Sequence, residues 1–137
     1  LIEGGFGADV LDGNDGNDWI SGLQGEVDDF QTDFLNGGAG NDVLVLGSGD
    51  YGSGGEGADS FELAETDGST EVTQITDYDP ALDQLVVHYD PVLHPSPVLS
   101  VEASMDGAQN TISLDGVRIA VISGGSVQVG DIRLVAA

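Results

Sequence analysis

The chain has 137 residues, about one domain with a modest core. Asp and Glu number 25 against two arginines, Arg118 and Arg133, for a net charge of −23. Nucleic acid and anionic membranes are poor partners for so acidic a surface, no cysteine supports a disulfide or thiolate site, and no apolar run reaches bilayer length.

A chain this acidic repels itself, so a compact state needs a neutralising cation. Low hydrophobicity with high net charge also marks disorder. Periodic Gly and Asp point instead to order that depends on an ion. No signal-peptide pattern opens the chain. Leu1-Ile2-Glu3 reads as the tail of a repeat that starts upstream, so the chain is expected to be a piece of a longer repeat array.

From Gly4 a nine-residue phrase recurs, Gly-Gly-x-Gly-x-Asp-x-(large apolar)-x, and such periods set the fold before any other signal. Gly4–Asp12 and Gly13–Ser21 are two copies. A third opens at Gly22-Leu23-Gln24-Gly25, but the next in-register glycine, Gly37, comes six residues late. Either Asp33-Phe34-Leu35-Asn36 closes this repeat after an insertion, or Asp28-Asp29-Phe30-Gln31 closes it and an excursion comes next. The first joins Gly37 without a gap and is preferred. Gly37–Val45 is intact, Leu46–Ser53 is a shortened copy of eight residues with Asp50 as its acid, and Gly54–Glu62 is intact.

Beyond Glu62 the composition turns from Gly and Asp to Val, Ile and Leu. The polar run Glu65-Thr66-Asp67-Gly68-Ser69 suggests a connector, dividing the chain into 1–62 and 63–137. Strands are predicted at 70–76, 84–88, 98–103, 111–114, 117–122 and 132–135, with a hairpin at Asp115-Gly116 and a turn at Met105-Asp106-Gly107. Asp90–Pro97, with three prolines, reads as an irregular loop, and at most a turn or two of helix falls near Pro80–Asp83. The fold class is all-β.

The phrase has a chemical reading. Glycines at positions 1, 2 and 4 allow positive φ, so a tight turn aims carbonyl oxygens inward. The Asp at position 6 adds a carboxylate, and position 8 sends one apolar side chain to the interior: Leu11, Ile20, Leu35, Leu44 and Phe61. Many hard oxygen ligands without nitrogen or sulfur select calcium over zinc or copper. One nonapeptide alone completes neither core nor coordination shell, and stacked coils complete both. An ordinary acidic linker would not hold large apolar residues at one fixed position. An EF-hand loop counted from Asp12 fails, because its sixth residue is Asn17 and its twelfth is Leu23.

These residues resemble the RTX (repeats-in-toxin, haemolysin-type) calcium-binding family across Gly4–Glu62. The resemblance implies a parallel β-roll with calcium between repeats n and n+2 on alternating edges, about four ions in all. Carried over, one edge holds Asp9, Asp33 and Asp50, with backbone ligands at Gly4, Phe6, Gly22, Gln24, Gly25, Gly47 and Gly49. The other holds Asp18, Asp42 and Asp59, with carbonyls near Gly13, Asp15, Gly37, Gly38, Ala39, Gly40, Gly55 and Gly57. The segment Phe61–Leu85 is similar to the stretch after the roll in serralysin-type C-terminal domains and alginate-epimerase R-modules, which implies an antiparallel β region capping the roll over 63–137. Asp131-Ile132-Arg133-Leu134-Val135 is similar to a type I secretion signal.

No Gly-x-Ser-x-Gly or His-Glu-x-x-His pattern is present, and no catalytic residue is assigned. His88 and His94 read as exposed loop histidines. Asp77, Asp79 and Asp83 read as a turn, with Asp77 lending a ligand to the last calcium. The insertion acids Asp28 and Asp29 read as a solvated loop, Trp19 and Tyr51 as packing or turn residues, and the arginines as local ion-pair partners. The expected function is a non-enzymatic calcium-binding module of a bacterial protein exported by the type I secretion apparatus, extracellular and folding there on calcium. An adhesive or polysaccharide-binding module and the tail of a secreted hydrolase stand as alternatives.

Overall fold

Each nonapeptide supplies one turn and one short strand, and successive strands go to opposite sheets. The computed structural model describes residues 2–5, 7–22, 31–47, 49–64, 72–92, 95–105, 109–124 and 127–136. In chain order the strands are β1 (Ile2–Glu3), β2 (Val10–Asp12), β3 (Trp19–Ser21), β4 (Phe34–Asn36), β5 (Val43–Leu46), β6 (Tyr51–Ser53), β7 (Ser60–Ala64), β8 (Thr73–Ile75), β9 (Gln84–Tyr89), β10 (Leu99–Ala103), β11 (Gln109–Leu114), β12 (Val117–Ser123) and β13 (Ile132–Ala136). One sheet runs β1-β3-β5-β7-β9-β13 and the other β10-β11-β12-β8-β6-β4-β2. No helix among the described residues is long and apolar enough to cross a membrane.

Parallel pairing puts position 8 of every coil in register. One ladder is Ile2, Ile20, Leu44, Phe61, Leu85 and Ile132. The facing ladder is Leu11, Leu35, Gly52, Ile75 and Ile122. Together these residues make up most of the core between the sheets. Strand β4 falls on Phe34–Asn36, as the preferred parsing of the long repeat requires.

The shortened repeat places Gly52 where a large apolar residue belongs. Leu46, the extra residue at the end of β5, fills that space: a Cβ on Gly52 would stand 2.9 Å from Leu46 Cδ1, and Leu46 is fully buried. One coil therefore lends its neighbour a side chain, and the core stays closed.

The compositional change at residue 63 is not a change of sheet. Strands β8, β9, β12 and β13 continue the roll with parallel pairing, and only β10, β11 and β12 pair antiparallel. Expecting an antiparallel region throughout 63–137 therefore overstates it, because alternating apolar residues specify a strand without specifying its neighbour's direction. The hairpin forms at Asp115-Gly116, with φ of 50° and 84°. The 3-10 turn lies at Val129–Asp131, while Pro80–Asp83 is a turn closed by the Asp83 N–H on the Asp79 carbonyl at 2.7 Å.

Two aromatic side chains meet on the outer face of the second sheet. Phe34 and Tyr51 stack with centroids 5.0 Å apart and planes 13° apart, close to the spacing of adjacent strands. Each ring gives one face to the other, which fits Tyr51 as a packing residue. Trp19, expected to pack as well, is half-exposed on β3.

Candidate metal centre

The turns between strands stack along two edges, and the glycines make the stacking possible. Gly38 and Gly40 have φ of 84° and 114°, and Gly55 and Gly57 have 81° and 109°. A side chain on Gly38 would strike the Asn14 carbonyl, and one on Gly55 the Gly38 carbonyl. Held this close, the turns bond to each other: the Ala39 N–H donates to Asn14 O at 3.0 Å and the Glu56 N–H to Gly38 O at 2.9 Å.

The position-6 acids form a ladder on each edge. On the first edge the Asp9 N–H donates to Asp33 Oδ1 at 2.7 Å, and the Asp33 N–H to Asp50 Oδ1 at 2.9 Å. On the second edge Asp18, Asp42 and Asp59 are linked in the same way at 2.8 and 2.9 Å. A parallel ladder joins position 5, where the Asn41 N–H donates to Asn17 Oδ1 and the Ala58 N–H to Asn41 Oδ1, both at 2.8 Å. Nothing in the nine-residue phrase marks those asparagines, since position 5 is free in it.

The second-edge ladder consumes Oδ1 of Asp42 and Asp59 and leaves their Oδ2 pointing inward. Oδ2 of Asp9, Asp18, Asp42 and Asp59 is buried without a hydrogen-bond partner. Such an atom is costly unless a cation or donor meets it. The first glycine of each turn opens the space these oxygens face. A Cβ on Gly13 would lie 2.7 Å from both Asp18 Oδ2 and the Gly37 carbonyl oxygen. One on Gly37 would lie 2.5 Å from Asp42 Oδ2 and 2.6 Å from the Gly54 carbonyl oxygen. A Cβ on Gly4 would lie 2.8 Å from Asp9 Oδ2. Among the described residues no three His, Cys, Asp or Glu side chains cluster as a metal site. A calcium ion here would draw on backbone carbonyls as much as on carboxylates, and the oxygen-only donor set fits it.

Burial acts on these acids in the metal-free chain. It pushes Asp59 up to about 6; the Asp42 N–H opposes the shift, and the charges of Asp83, Asp42 and Asp77 add to it. Burial likewise raises Asp42 against the Asp18 N–H, and raises Asp83 against the N–H groups of Asp59 and Asp79. A raised acid binds a proton in the folded state that the unfolded chain has released. Its stabilising effect is complete below the ordinary carboxylate value and is lost as pH rises through the folded value. In chelator, acidification from pH 7 to 5 is therefore expected to recover strand signal in far-UV circular dichroism. An unchanged spectrum across that window would contradict the assignment.

The other expected site residues, with the loop acids Asp28 and Asp29, the loop histidine His94 and the turn residue Glu56, fall into three groups. Phe6, Gln24, Gly25, Asp28, Asp29 and His94 lie outside the described residues. Asp15, Ala39 and Glu56 bridge successive turns of the second edge. Gly22, Gly47, Gly49 and Asp50 are buried on the first edge. The Gly47 carbonyl accepts the Thr73 hydroxyl at 2.7 Å and the Asp50 N–H at 3.3 Å.

Asp77 is placed differently from expectation. Its oxygens accept the Gly54 and Gly55 N–H groups and the Ser53 hydroxyl, each at 2.9 Å, so it anchors the last turn. Asp83, not singled out as a site residue, continues the second-edge ladder: its Oδ1 accepts the Asp59 N–H at 2.9 Å and its Oδ2 the Asp79 N–H at 2.8 Å. The turn 77–83 thus presents carboxylates where another coil would present its own oxygens.

His88 belongs to the strand predicted at 84–88 and not to the proline loop beyond it. It lies in β9 and meets Glu62 at 2.8 Å, and neither arginine forms an ion pair among the described residues.

The comparisons with known proteins agree with this geometry. Residues 1–26 and 30–52 match the family model of the RTX calcium-binding nonapeptide repeat, in four copies. No curated protein matches the chain. The fold is similar to the solution structure of the AlgE6R3 subunit from the Azotobacter vinelandii mannuronan C5-epimerase, with 24% identity, TM-score 0.55, and 96% of this chain and 82% of that one covered. It is also similar to the AlgE6R2 subunit of the same enzyme, with 24% identity, TM-score 0.54, and coverage of 90% and 89%.

Proposed function

We propose that this chain, which carries RTX calcium-binding nonapeptide repeats on a β-roll, is a calcium-binding module that folds on calcium outside a bacterial cell. The buried Oδ2 atoms, each facing a space kept open by glycine, carry this reading. Asp18, Asp42 and Asp59 would hold ions on the second edge with the carbonyls of the stacked turns, and Asp9, Asp33 and Asp50 on the first. About four ions are expected, bound between successive turns of an edge. Calcium supplies the positive charge that the acidic chain lacks. Export by a type I apparatus is consistent with the acidity and with the Asp131–Val135 segment, which lies in and just before β13. Equilibrium dialysis tests the binding: about four calcium ions per chain are expected at millimolar free calcium, and uptake below one ion would overturn the reading.

The fold likeness to epimerase subunits supports a second reading, calcium-dependent binding of a polysaccharide or surface. A glycan array run with calcium and with chelator separates the two, since only the second reading expects calcium-dependent hits.

A further inference from the structure

The sequence contains one Asn-Gly pair, Asn36-Gly37, while Asn14, Asn17 and Asn41 precede Asp and Asn110 precedes Thr. Glycine leaves its backbone nitrogen unhindered, because it has no side chain to shield it. That nitrogen can attack the side-chain carbonyl carbon of Asn36. A bond forms from Gly37 N to Asn36 Cγ, the Cγ–Nδ2 bond breaks, and Nδ2 leaves as ammonia with the proton that Gly37 N gave up. Water then opens the cyclic imide at either carbonyl, giving aspartate or isoaspartate.

The folded chain holds this peptide unit from both sides. The Asn36 carbonyl accepts the Gly13 N–H at 2.8 Å, and the Gly37 N–H donates to the Ser53 carbonyl at 2.9 Å. Asn36 ends β4, where its backbone pairs with Asp12 on one side and Ser53 on the other. Ring closure turns Asn36 about its Cα–C bond, out of the extended conformation, and withdraws the Gly37 N–H from its acceptor. The Asn36 side chain is exposed, but exposure does not make it reactive while these bonds hold. Separation of the coils does.

We propose that Asn36-Gly37 is a self-modification site, deamidating while the roll is open and protected while its coils are stacked. The calcium dependence of that protection rests on the folding reading above. The isoaspartate product closes the route back. It adds a methylene to the main chain between Leu35, which is buried in the core, and Gly37, beside which Asp42 Oδ2 and the Gly54 carbonyl leave no room even for a Cβ. Leu35 and Gly37 then cannot both keep their register. The aspartate product adds only a charge, at an exposed position opposite Asp12. Time spent without calcium is thereby recorded irreversibly in the chain.

Peptide mapping by mass spectrometry tests this on the whole chain, held in mildly alkaline buffer with calcium, with chelator, or with urea and chelator. Circular dichroism is recorded alongside. Conversion at Asn36 is expected to be at least about tenfold slower in calcium than in urea, and in chelator within about twofold of urea. Equal conversion in calcium and in urea overturns the protection, and conversion in urea as fast at Asn110 as at Asn36 overturns the site. A chain that stays ordered and protected in chelator, yet converts in urea, overturns the folding switch and supports protection by the stacked coils. Chains carrying isoaspartate, separated by chromatography and returned to calcium, are expected to lose most of the strand signal that Asn36→Asp chains regain. Unconverted chains from the same incubation set the full signal. Equal recovery of the isoaspartate and Asn36→Asp chains overturns the one-way step.

Discussion

Withdrawing calcium is expected to unfold the repeat half of the chain, and restoring it to fold that half again. Extracellular calcium modules bind at about 10⁻⁴–10⁻³ M. At millimolar calcium, about 10 times Kd for the tighter end of that range, each site adds about 1.4 kcal/mol, so four would add about 6 kcal/mol. That falls within the total stability of an ordinary domain. The opposing term is also on the edges: Asp33, Asp42, Asp50 and Asp59 are at most 2% exposed in a chain of net charge −23. Sodium chloride weakens the long-range repulsion but does not reach these buried groups. Magnesium fails for another reason, since it demands near-octahedral geometry and gives up its water reluctantly. Far-UV circular dichroism should therefore lose its strand signal in excess chelator and regain it in millimolar calcium, but not in magnesium. A spectrum already ordered in chelator would sink the folding switch, whatever the binding stoichiometry. A switch of this kind would keep the chain extended where calcium is scarce and fold it where calcium is plentiful.

How much of the fold is legible in the sequence depends on which constraints are local. A period of nine with an apolar residue at position 8 marks the strands and their inward residues, so Ile20, Leu35, Leu44 and Phe61 fall in the core as expected, while the alternation between sheets and the two Asp edges come from the resemblance to RTX repeats. The Asp-Gly hairpin is equally local, because only a positive φ at both residues closes it. Partnerships between coils are not local. Leu46 fills the space above Gly52, yet nothing near either residue announces the pairing. The Val-rich strands beyond Leu63 alternate correctly for any sheet, and only the stacking surface of β7 and β6 makes β9 and β8 parallel to them. The asparagine ladder stands at a position the repeat leaves variable. His88 reads as a loop residue next to three prolines, but its partner Glu62 lies 26 positions earlier. Asp83 is the most consequential omission, because an acid outside the nonapeptides has no periodic marker.

Replacing Asp83 with alanine is expected to destabilise the calcium-loaded chain by about 3 kcal/mol, although Asp83 belongs to no repeat. Its two oxygens accept the N–H groups of Asp59 and Asp79, and it is 8% exposed. Asp59 is buried, so its N–H would have no replacement acceptor, which costs about 1–3 kcal/mol; the Asp79 end is exposed and water recovers part of that loss. The hydroxyl of buried Tyr78 also reaches the Asp83 carbonyl at 3.4 Å, so the turn carries core packing with it. For a chain of this length the melting temperature should fall by roughly 10 °C. Asp79→Ala is the control: its Oδ1 accepts only the exposed Ala81 N–H, and the expected loss is under about 1 kcal/mol. At subsaturating calcium the ranking compresses, because Asp83 is buried beside Asp59 and removing it relieves repulsion. Equal melting of the two variants in calcium would mean that turn 77–83 closes the roll by packing alone. A selective loss at Asp83 would identify its carboxylate as the last rung of the aspartate ladder, the acceptor that lets the repeats end without another repeat.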